Sequence, residues 1–586
     1  NALYILMAGG LMNLVSQGQQ NIIVNGNPSK TFWKSKYAKH TNFGLQKFRL
    51  DYEGTKQLQT SEDSTFTFKV PRYGDLLMDS YISFALPNIW SPIYPPQLEL
   101  NQETNEEYYT DWSPYEFKWI DHIGAHMIKK ITITCGNTTV QEIPGTYLLA
   151  CVERDFSQEK KNLFNKMIGH SNEYNNPANF SNRVNVYPNA FFLGENIEAE
   201  PSIRGKRLYI PIQSWFQLKS QMSFPLVSLQ YNELTISVTF RPIQELYRIR
   251  DVSDSLNNFP YISPNVNNYL QQMHRFLQPP PTVDISNMNT YVDQRNIWDA
   301  DIHIISTYCF LSTDEQKIFA QEEQRYLIKQ VFEKKFLNVT GSSKISLDSV
   351  GLISSWMWFL QRSDVNMRNE WSNFTNWPYD YLPGGLIEAP TYGTYEVDVN
   401  VTERLLAKSS LNIDLDITTL PEYIGPGVNA DGSETGIMLS NQYSLSNTKD
   451  ILIDLGILLD GQYRENLQNS GVFNYVEKYV RTQGNALDGL YCYNFCLNTS
   501  PYDTQPSGSM NLSKFTNIEL EFNTIVPPTD PLAQTMTICD PDNGEIIGIN
   551  KPTWRLYDYN FDLTLYEERM NVLIFVGGNA SLMYAT

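Results

Sequence analysis

Cysteine is scarce in this chain, with six residues among 586. The only closely spaced pair is Cys492 and Cys496, and no second pair accompanies it to complete a tetrahedral zinc site. On an extended strand these two positions would lie about 13 Å apart, which is beyond the reach of a disulfide. We therefore expect free thiols, as is typical of proteins kept in a reducing compartment.

Long apolar runs are also missing. The longest near the start is Ala2-Leu3-Tyr4-Ile5-Leu6-Met7-Ala8, whereas a membrane-spanning helix needs about 20 residues. No basic stretch precedes this run, so the pattern does not predict a secretory signal. The sequence predicts a soluble protein made in the cytosol.

Positive charge is in short supply. The 44 Lys and Arg residues face 64 Asp and Glu residues, which gives a formal net charge of −20. Nucleic-acid binders carry basic patches that displace counterions from the phosphate backbone. The basic pair Lys129-Lys130 lies inside an apolar strand-like segment and does not form such a patch. We expect no direct contact with a genome.

Complete catalytic and metal-binding motifs are absent as well. His122 and His126 have the two-His spacing of a zinc helix but lack the Glu that serves as general base. The glycine-rich stretches at 383–385 and 425–427 lack the Lys-Ser/Thr ending of a phosphate-binding loop and are interpreted as turns. Residues 540–544 lack the distal Glu of a calcium loop. We expect no catalytic, cofactor-binding or metal site, and no enzyme.

Carboxylate pairs keep one alternative open, because glycoside hydrolases work with two Asp or Glu side chains. Glu106–Glu107 and Glu567–Glu568 are such pairs. Among 64 acidic residues these pairs are expected by chance, and a solvated surface position is the simpler interpretation. A secreted β-sandwich protein that binds or cleaves carbohydrate is the alternative function, and the missing secretory signal argues against it.

Aromatic residues are plentiful, at 13% of the chain, and this favours strands. Phe66, Phe68 and Val70 alternate with polar residues, which is the signature of a half-buried strand. Similar patterns predict strands at 64–70, 80–86, 128–134, 207–210 and 234–240, and then at 302–311, 354–361, 451–459, 490–497, 517–522 and 571–584. Helical spacing predicts one helix in each half, at 145–166 and at 313–331, the second opened by a capping box at Ser312 and Glu315.

The prolines at 279–281 divide the chain, since this run can continue neither a helix nor a central strand. We predict an N-terminal arm at 1–45, a first β domain at 46–277, a linker at 278–300 and a second β domain at 301–586. The two halves are alike in plan without a close sequence repeat.

Several segments in order resemble the major capsid proteins of nucleocytoplasmic large DNA viruses. Each is weak alone, but together they span both halves: Met7-Ala-Gly-Gly-Leu-Met-Asn-Leu-Val15, Phe32-Trp-Lys34, His40-Thr-Asn-Phe43, Phe224-Pro-Leu-Val-Ser-Leu-Gln-Tyr-Asn-Glu-Leu234, Leu311-Ser-Thr-Asp-Glu-Gln-Lys-Ile-Phe-Ala320 and Gln505-Pro-Ser-Gly-Ser-Met-Asn-Leu-Ser513.

The resemblance implies an all-β fold of two tandem eight-stranded antiparallel jelly rolls, with long loops and short helices. It implies a homotrimeric, pseudo-hexagonal capsomer that contacts neighbouring capsomers, minor capsid proteins and penton proteins in the outer shell of a virion assembled in the host cytoplasm. It also places the arm near an inner membrane. Coverage of both halves argues against a third possibility, a minor shell or spike protein of the same fold.

Eight Asn-x-Ser/Thr sequons occur in the chain. A cytosolic chain does not meet the host glycosylation machinery, so chance in an Asn-rich sequence is the simpler explanation. Large viruses that carry their own glycosylation enzymes could still attach surface glycans, and the acceptors would be Asn137, Asn179, Asn338, Asn373, Asn400, Asn498, Asn511 and Asn579.

Overall fold

The computed structural model describes most of the chain. The described residues are 9–16, 18–54, 56–92, 98–100, 107–109, 116–183, 186–190, 200–251, 260–281, 288–378, 425–428, 434–439, 448–527, 536–539, 546–550 and 559–584. No helix within these ranges is both long and apolar enough to cross a membrane.

The chain divides into two units, Asn1–Phe43 and Gly44–Thr586. The first unit contains the short helices α1 (Gly9–Val15) and α2 (Ile22–Asn25). Its apolar side chains are largely exposed, with Ile23 at 87% and Trp33 at 95%. The described residues of this unit therefore present apolar surface and include no buried side chain.

The first half of the second unit contains two main antiparallel sheets and two smaller ones. Its strands are β1 (Phe43–Asp51), β2 (Ser64–Lys69), β3 (Leu76–Leu86), β4 (Leu98–Leu100), β5 (Glu107–Tyr109), β6 (Phe117–Trp119), β7 (Ile128–Cys135), β8 (Thr138–Pro144), β9 (Lys206–Pro211), β10 (Phe224–Pro225), β11 (Leu234–Phe240), β12 (Tyr247–Arg250), β13 (Tyr261–Ile262) and β14 (His303–Leu311). One sheet has the order β1-β14-β3-β9, with β10 also on β3, and the other has the order β2-β11-β7-β8.

Strand β11 shows why these residues form a sandwich. Leu234, Ile236, Val238 and Phe240 are buried, and the residues between them are half-exposed. Because successive side chains of a strand point to opposite faces, one face of β11 packs into the core while the other meets solvent. The strand predicted at 234–240 is confirmed.

Short helices connect the strands of this half. They are α3 (Ile123–His126), α4 (Gly145–Asp155), α5 (Gln158–Ile168), α6 (Asn172–Asn175) and α7 (Trp215–Leu218). The helical region predicted at 145–166 is thus two helices, which separate where Phe156 takes an extended conformation.

The second half repeats this arrangement. It contains α8 (Thr313–Gln321), α9 (Glu477–Arg481) and the strands β15 (Gln324–Phe336), β16 (Ser342–Ser346), β17 (Leu352–Arg362), β18 (Gly425–Val428), β19 (Glu434–Leu439), β20 (Leu452–Leu459), β21 (Gln462–Asn469), β22 (Leu490–Asn494), β23 (Met510–Asn511), β24 (Ile518–Thr524), β25 (Met536–Cys539), β26 (Ile546–Asn550), β27 (Phe561–Val576) and β28 (Asn579–Leu582). Its main sheets have the orders β15-β27-β17-β22 and β16-β24-β20-β21, and β18-β19 and β25-β26 form two-stranded sheets.

The two halves share one topology. When the eight principal strands of each half are numbered along the chain, both halves have one sheet in the order 1-8-3-6 and the other in the order 2-7-4-5. This is the jelly-roll arrangement, in which every strand but the two at each sheet's edge is paired on both sides. The fold is a double jelly roll, as the resemblance implied.

Strand β14 corrects the predicted start of the second domain at residue 301. It pairs with β3 through His303 opposite Ser83 and Ile304 opposite Ile82, so it is the last strand of the first jelly roll. Its buried Ile304 and Tyr308 belong to the core of that roll. The chain crosses the proline-rich segment and returns to the first roll before entering the second.

Other expectations also change. The helix predicted at 313–331 ends at Gln321, and Ser312 caps it without a side-chain hydrogen bond. Strand β15 follows, because Tyr326, Ile328 and Gln330 are buried at every second position. The segment 571–584 is two strands, the end of β27 and β28, and residues 425–427, expected to turn, lie in β18.

The sheet β15-β27-β17-β22 is buried on both faces. Trp356 and Trp358 of β17 point into the core of the second roll, whereas Met357 and Phe359 join the core that continues from the first roll. Because side chains alternate between the two faces of a strand, the two faces of this sheet pack into two different cores. This shared sheet is where the two rolls meet.

Candidate functional site at the junction of the two jelly rolls

The edges of the two rolls are joined by side chains that bond to main-chain groups. The Gln141 amide of β8 donates to the Lys329 carbonyl at 3.0 Å, and the Gln330 amide of β15 donates to the Val140 carbonyl at 2.8 Å. Each strand is an edge strand of its own sheet. Because an exposed edge offers unpaired main-chain groups to other chains, the contact covers two such edges together.

A buried ion cluster lies beside these edges. The Arg154 guanidinium at the end of α4 binds Glu568 of β27 at 2.7 Å and Asp155 at 2.7 Å. It also donates to the Ser355 hydroxyl at 3.0 Å. All three charged side chains are at most 1% exposed. Arg154 and Glu568 come from different rolls, so the cluster links them.

Both carboxylate oxygens of Glu568 accept hydrogen bonds from buried side chains. Ser355 donates to one oxygen and Tyr147 to the other, both at 2.7 Å. Burial alone would raise the pKa of Glu568, but the charges of Arg154 and Lys329 and these two hydrogen bonds lower it to about 2. The same carboxylates hold the pKa of Arg154 well above its usual value, against the effect of burial. The pair stays ionised because each charge is fully compensated.

A second link is formed by the segment that follows β17. The Asn369 amide donates to the main-chain carbonyls of Gln244 and Tyr247 at 2.8 and 2.9 Å. In return, the Arg248 guanidinium donates to the Asn369 carbonyl at 3.0 Å and to Asp121 at 3.2 Å. Asn369 has a φ of 51°, a conformation that Asn tolerates better than most residues. The loop of the second roll is thereby fixed to the first.

Three histidines lie beside that second link. The rings of His122 and His170 stack with their centroids 3.6 Å apart, and His122 is also hydrogen-bonded to Ser372 at 3.0 Å. The ring nitrogens of His126 have no hydrogen-bond partner among the described residues. Burial lowers the pKa of His126 to about 3, so these rings are neutral at neutral pH.

The His122–His126 pair does not form a zinc helix. Helix α3 has only four residues, and His122 precedes it with a φ of 50°. Across the described ranges, no group of three or more His, Cys, Asp or Glu side chains is placed to hold a metal ion. Residues 383–385, 540–544 and Glu106 lie outside the described residues.

The pair Glu567–Glu568 corrects the surface interpretation. Both side chains are buried, at 0% and 1% exposure. They lie on opposite faces of β27, where Glu567 pairs with Arg569 at 2.7 Å inside the second roll. A glycosidase needs both carboxylates to face one bond, and two successive residues of a strand cannot do so.

The cysteines are structural. Cys135, Cys151, Cys309, Cys492 and Cys496 are buried free thiols, as the sequence predicts. Burial raises the pKa of both Cys135 and Cys492 to about 11, which keeps the reactive thiolate scarce.

Sequence reasoning missed Arg154, Glu568 and Asn369. Arg154 and Glu568 are 414 positions apart, and no local pattern connects them. One signal was available: Glu567-Glu-Arg569 interrupts a largely apolar strand, and buried charges are expected only when they are paired.

Two family models match consecutive parts of the chain. Residues 31–294 match the N-terminus of the major capsid protein, and residues 315–580 match the large eukaryotic DNA virus major capsid protein. Together they cover both jelly rolls apart from β14, which lies between the two matches.

Full-length relatives agree with these matches. The major capsid protein of Phaeocystis pouchetii virus is 23% identical over 604 residues, covering 99% of this chain and all of that protein. The major capsid protein of Paramecium bursaria Chlorella virus 1 is 24% identical over 589 residues, with the same coverage.

Solved structures show the same fold. PBCV-1 VP54 matches with a TM-score of 0.57 at 17% identity, covering 95% of this chain and 100% of the other. The Faustovirus major capsid protein matches with a TM-score of 0.55 at 10% identity, covering 93% of each. With the family models, the relatives and the repeated topology in agreement, this chain belongs to the major capsid proteins of large eukaryotic DNA viruses.

Proposed function

We propose that this major capsid protein forms homotrimers whose six jelly rolls give a pseudo-hexagonal capsomer, and that these capsomers tile an icosahedral shell. The observation that carries the proposal is the pair of rolls with one topology, held together by the buried Arg154–Glu568 link. A rigid two-roll chain supplies two similar sides of a hexagon, so three chains close the ring. A net charge of −20 keeps trimers apart before assembly.

The N-terminal unit serves contacts with other components of the particle. Its exposed apolar side chains, such as Ile23 and Trp33, need a partner in the particle. In this proposal these side chains contact minor capsid proteins, close to an inner membrane. Penton proteins complete the shell where capsomers cannot, and assembly takes place in the host cytoplasm.

The role is structural, without catalysis and without direct contact with the genome. The buried carboxylates are engaged in ion pairs inside the rolls. The exposed sequon residues Asn137, Asn338, Asn511 and Asn579 are positions where viral glycosylation enzymes could add surface glycans.

Light scattering of the purified full chain, together with electron microscopy, tests the proposal. The expected result is a stable particle of three times 67.5 kDa with a hexagonal outline. A chain that remains monomeric at micromolar and higher concentrations would refute the capsomer. Hydrolysis of a glycan that disappears with one carboxylate substitution would refute the purely structural role.

A further inference from the structure

A cavity of about 100 Å³ is lined by residues of both rolls. The first roll contributes Gln141 of β8, Tyr147 of α4 and Gln213, which lies just before α7. The second roll contributes side chains of the shared sheet and of the loop 496–507. Asp503 of this loop is exposed, so the cavity reaches the surface of the molecule there.

Two glutamines bring unpaired amide groups to this cavity. Gln141 is 6% exposed. Its Oε1 atom and both amide atoms of Gln213 are buried and have no hydrogen-bond partner among the described residues. The orientation of Gln141 is fixed, because its amide nitrogen donates to the Lys329 carbonyl at 3.0 Å. Since buried polar groups in native proteins normally have partners, these three atoms indicate a ligand.

Other polar side chains of the wall have partners within the chain. The Ser354 hydroxyl donates to the Glu568 carbonyl at 3.2 Å, and the Ser507 hydroxyl donates to the Asn498 carbonyl at 2.8 Å. The Tyr147 hydroxyl donates to the Glu568 carboxylate at 2.7 Å. Among the described residues of the wall, the buried groups without a partner are therefore those of the two glutamines.

The main chain holds Gln213 in an unusual conformation. Its φ is 53°, in the left-handed region that few residues other than Gly, Asn and Asp adopt. Its main-chain nitrogen donates to the Gln217 side chain at 2.9 Å, and the neighbouring Trp215 and Phe216 are buried. Strained residues of this kind cluster at ligand-binding sites, which agrees with the unpaired amide.

The rest of the wall is largely apolar. Phe156 and Trp215 are buried, and Leu218, Met222 and Leu327 are half-buried. A volume of this size holds about three water molecules or an organic molecule of about five or six heavy atoms. Water in a cavity needs two to four polar partners, which these apolar side chains do not provide. An organic molecule with a short apolar body matches the wall better.

We propose that this cavity binds a small neutral molecule that combines a primary amide with a short apolar chain. The two N–H groups of the ligand donate to the side-chain oxygens of Gln141 and Gln213, and its carbonyl oxygen accepts from the Gln213 amide. A carboxylate or a ketone only accepts hydrogen bonds and would leave both glutamine oxygens unpaired. Because both rolls line the cavity, the bound molecule stabilises the folded chain across the junction.

The first experiment compares three probes of equal size, added to the purified full chain: butyramide, 2-pentanone and butyrate. We expect butyramide to bind saturably at millimolar concentrations. The other two should bind about tenfold more weakly, because neither donates a hydrogen bond to the glutamine oxygens. Ligand-observed nuclear magnetic resonance measures the Kd of each probe, and thermal unfolding measures the rise in Tm that it causes.

Two variants assign the binding to this cavity. Gln213→Leu removes the unpaired amide, so its affinity for butyramide should fall to that for 2-pentanone, which should not change. Leu218→Trp fills the cavity and should abolish the binding of every probe. The control, Gln462→Leu, makes the first substitution at an exposed residue of β21 outside the cavity and should leave binding unchanged. Near-ultraviolet circular dichroism reports whether each variant is folded.

Equal affinity of the wild type for butyramide and 2-pentanone, or unchanged butyramide binding in folded Gln213→Leu, would overturn the amide ligand. So would the lack of saturable binding, with ordered water alone in the cavity of an experimental density map. Selective loss of butyramide binding in Gln213→Leu, with loss of all binding in Leu218→Trp, supports the assignment. If Gln213→Leu does not fold, the ranking of the probes and Leu218→Trp decide. Failure of this proposal leaves the capsomer standing, because neither readout depends on the number of chains in a particle.

Discussion

The two jelly rolls have the same strand order and different surroundings. In the first roll, the edge strand β8 and helix α4 are covered, and Arg154 lies in a buried ion cluster. In the second roll, β21 has no buried residue, and the helical segment 472–481 that follows it exposes Tyr475, Val476, Tyr479 and Val480. The comparison teaches that topology sets where an edge lies, while the covering neighbour determines which residues that edge can carry.

The largest expected effect comes from removing the buried charge of Arg154 at the junction. Arg154→Met should lower the free energy of unfolding by about 3–5 kcal/mol, because Glu568 then remains buried and unpaired. Chemical denaturation measures the change. The control, Arg295→Met, breaks an ion pair with Asp293 that is largely exposed, and such a pair contributes little to stability. Equal losses in both variants would contradict the importance of the junction.

Acid should weaken the junction through Glu568. Its folded-state pKa of about 2 lies below the usual value, so the unfolded chain takes up this proton at a higher pH than the folded chain. The stabilisation is therefore complete above about pH 5 and disappears as the pH falls toward 2, for a loss of the order of 3 kcal/mol.

The stability difference between wild type and Glu568→Gln, measured by denaturation at several pH values, should shrink over that window. Glu323→Gln is the control, because Glu323 is 40% exposed in its side chain. A difference that stays constant between pH 5 and pH 3 would show that the carboxylate does not control this dependence.

The smallest expected effects come from the same substitution, Val→Ala, in helix α4 and in helix α9. Val152 in α4 is fully buried, and Val480 is 64% exposed. Val152→Ala should cost about 1.5–3 kcal/mol at any protein concentration. Val480→Ala should cost less than about 0.5 kcal/mol, because this exposed side chain gains little burial on folding. Chemical denaturation measures both losses, and equal losses at the two positions would contradict the difference in burial.

Half-buried strands were the predictable part of the fold. The segment 234–240 was predicted with the bounds that the structure has, because one of its faces is apolar and the other polar. Strand β21 was missed, since Gln462-Tyr-Arg-Glu-Asn-Leu-Gln-Asn469 has both faces exposed. Residues 324–331 of β15 were assigned to a helix, because Phe319, Tyr326 and Leu327 also fit helical spacing.

The junction was less predictable than the strands. Arg154, Ser355 and Glu568 come from three separate elements, and residues of these types ordinarily lie at the surface. Glu567 and Glu568 were therefore assigned to solvent. Only a sheet buried on both faces brings such charges inside.

By itself, the amino-acid sequence determined the class of this protein: a β-rich chain with an acidic excess, without a complete catalytic motif, and with ordered segments similar to viral capsid proteins. Local periodicity carries that information, because each strand records the burial of its own faces. The tertiary structure alone decided that β14 returns to the first roll, that Arg154 meets Glu568, and that one helix is covered while its counterpart is exposed. Those facts depend on contacts between residues hundreds of positions apart, which no local pattern encodes.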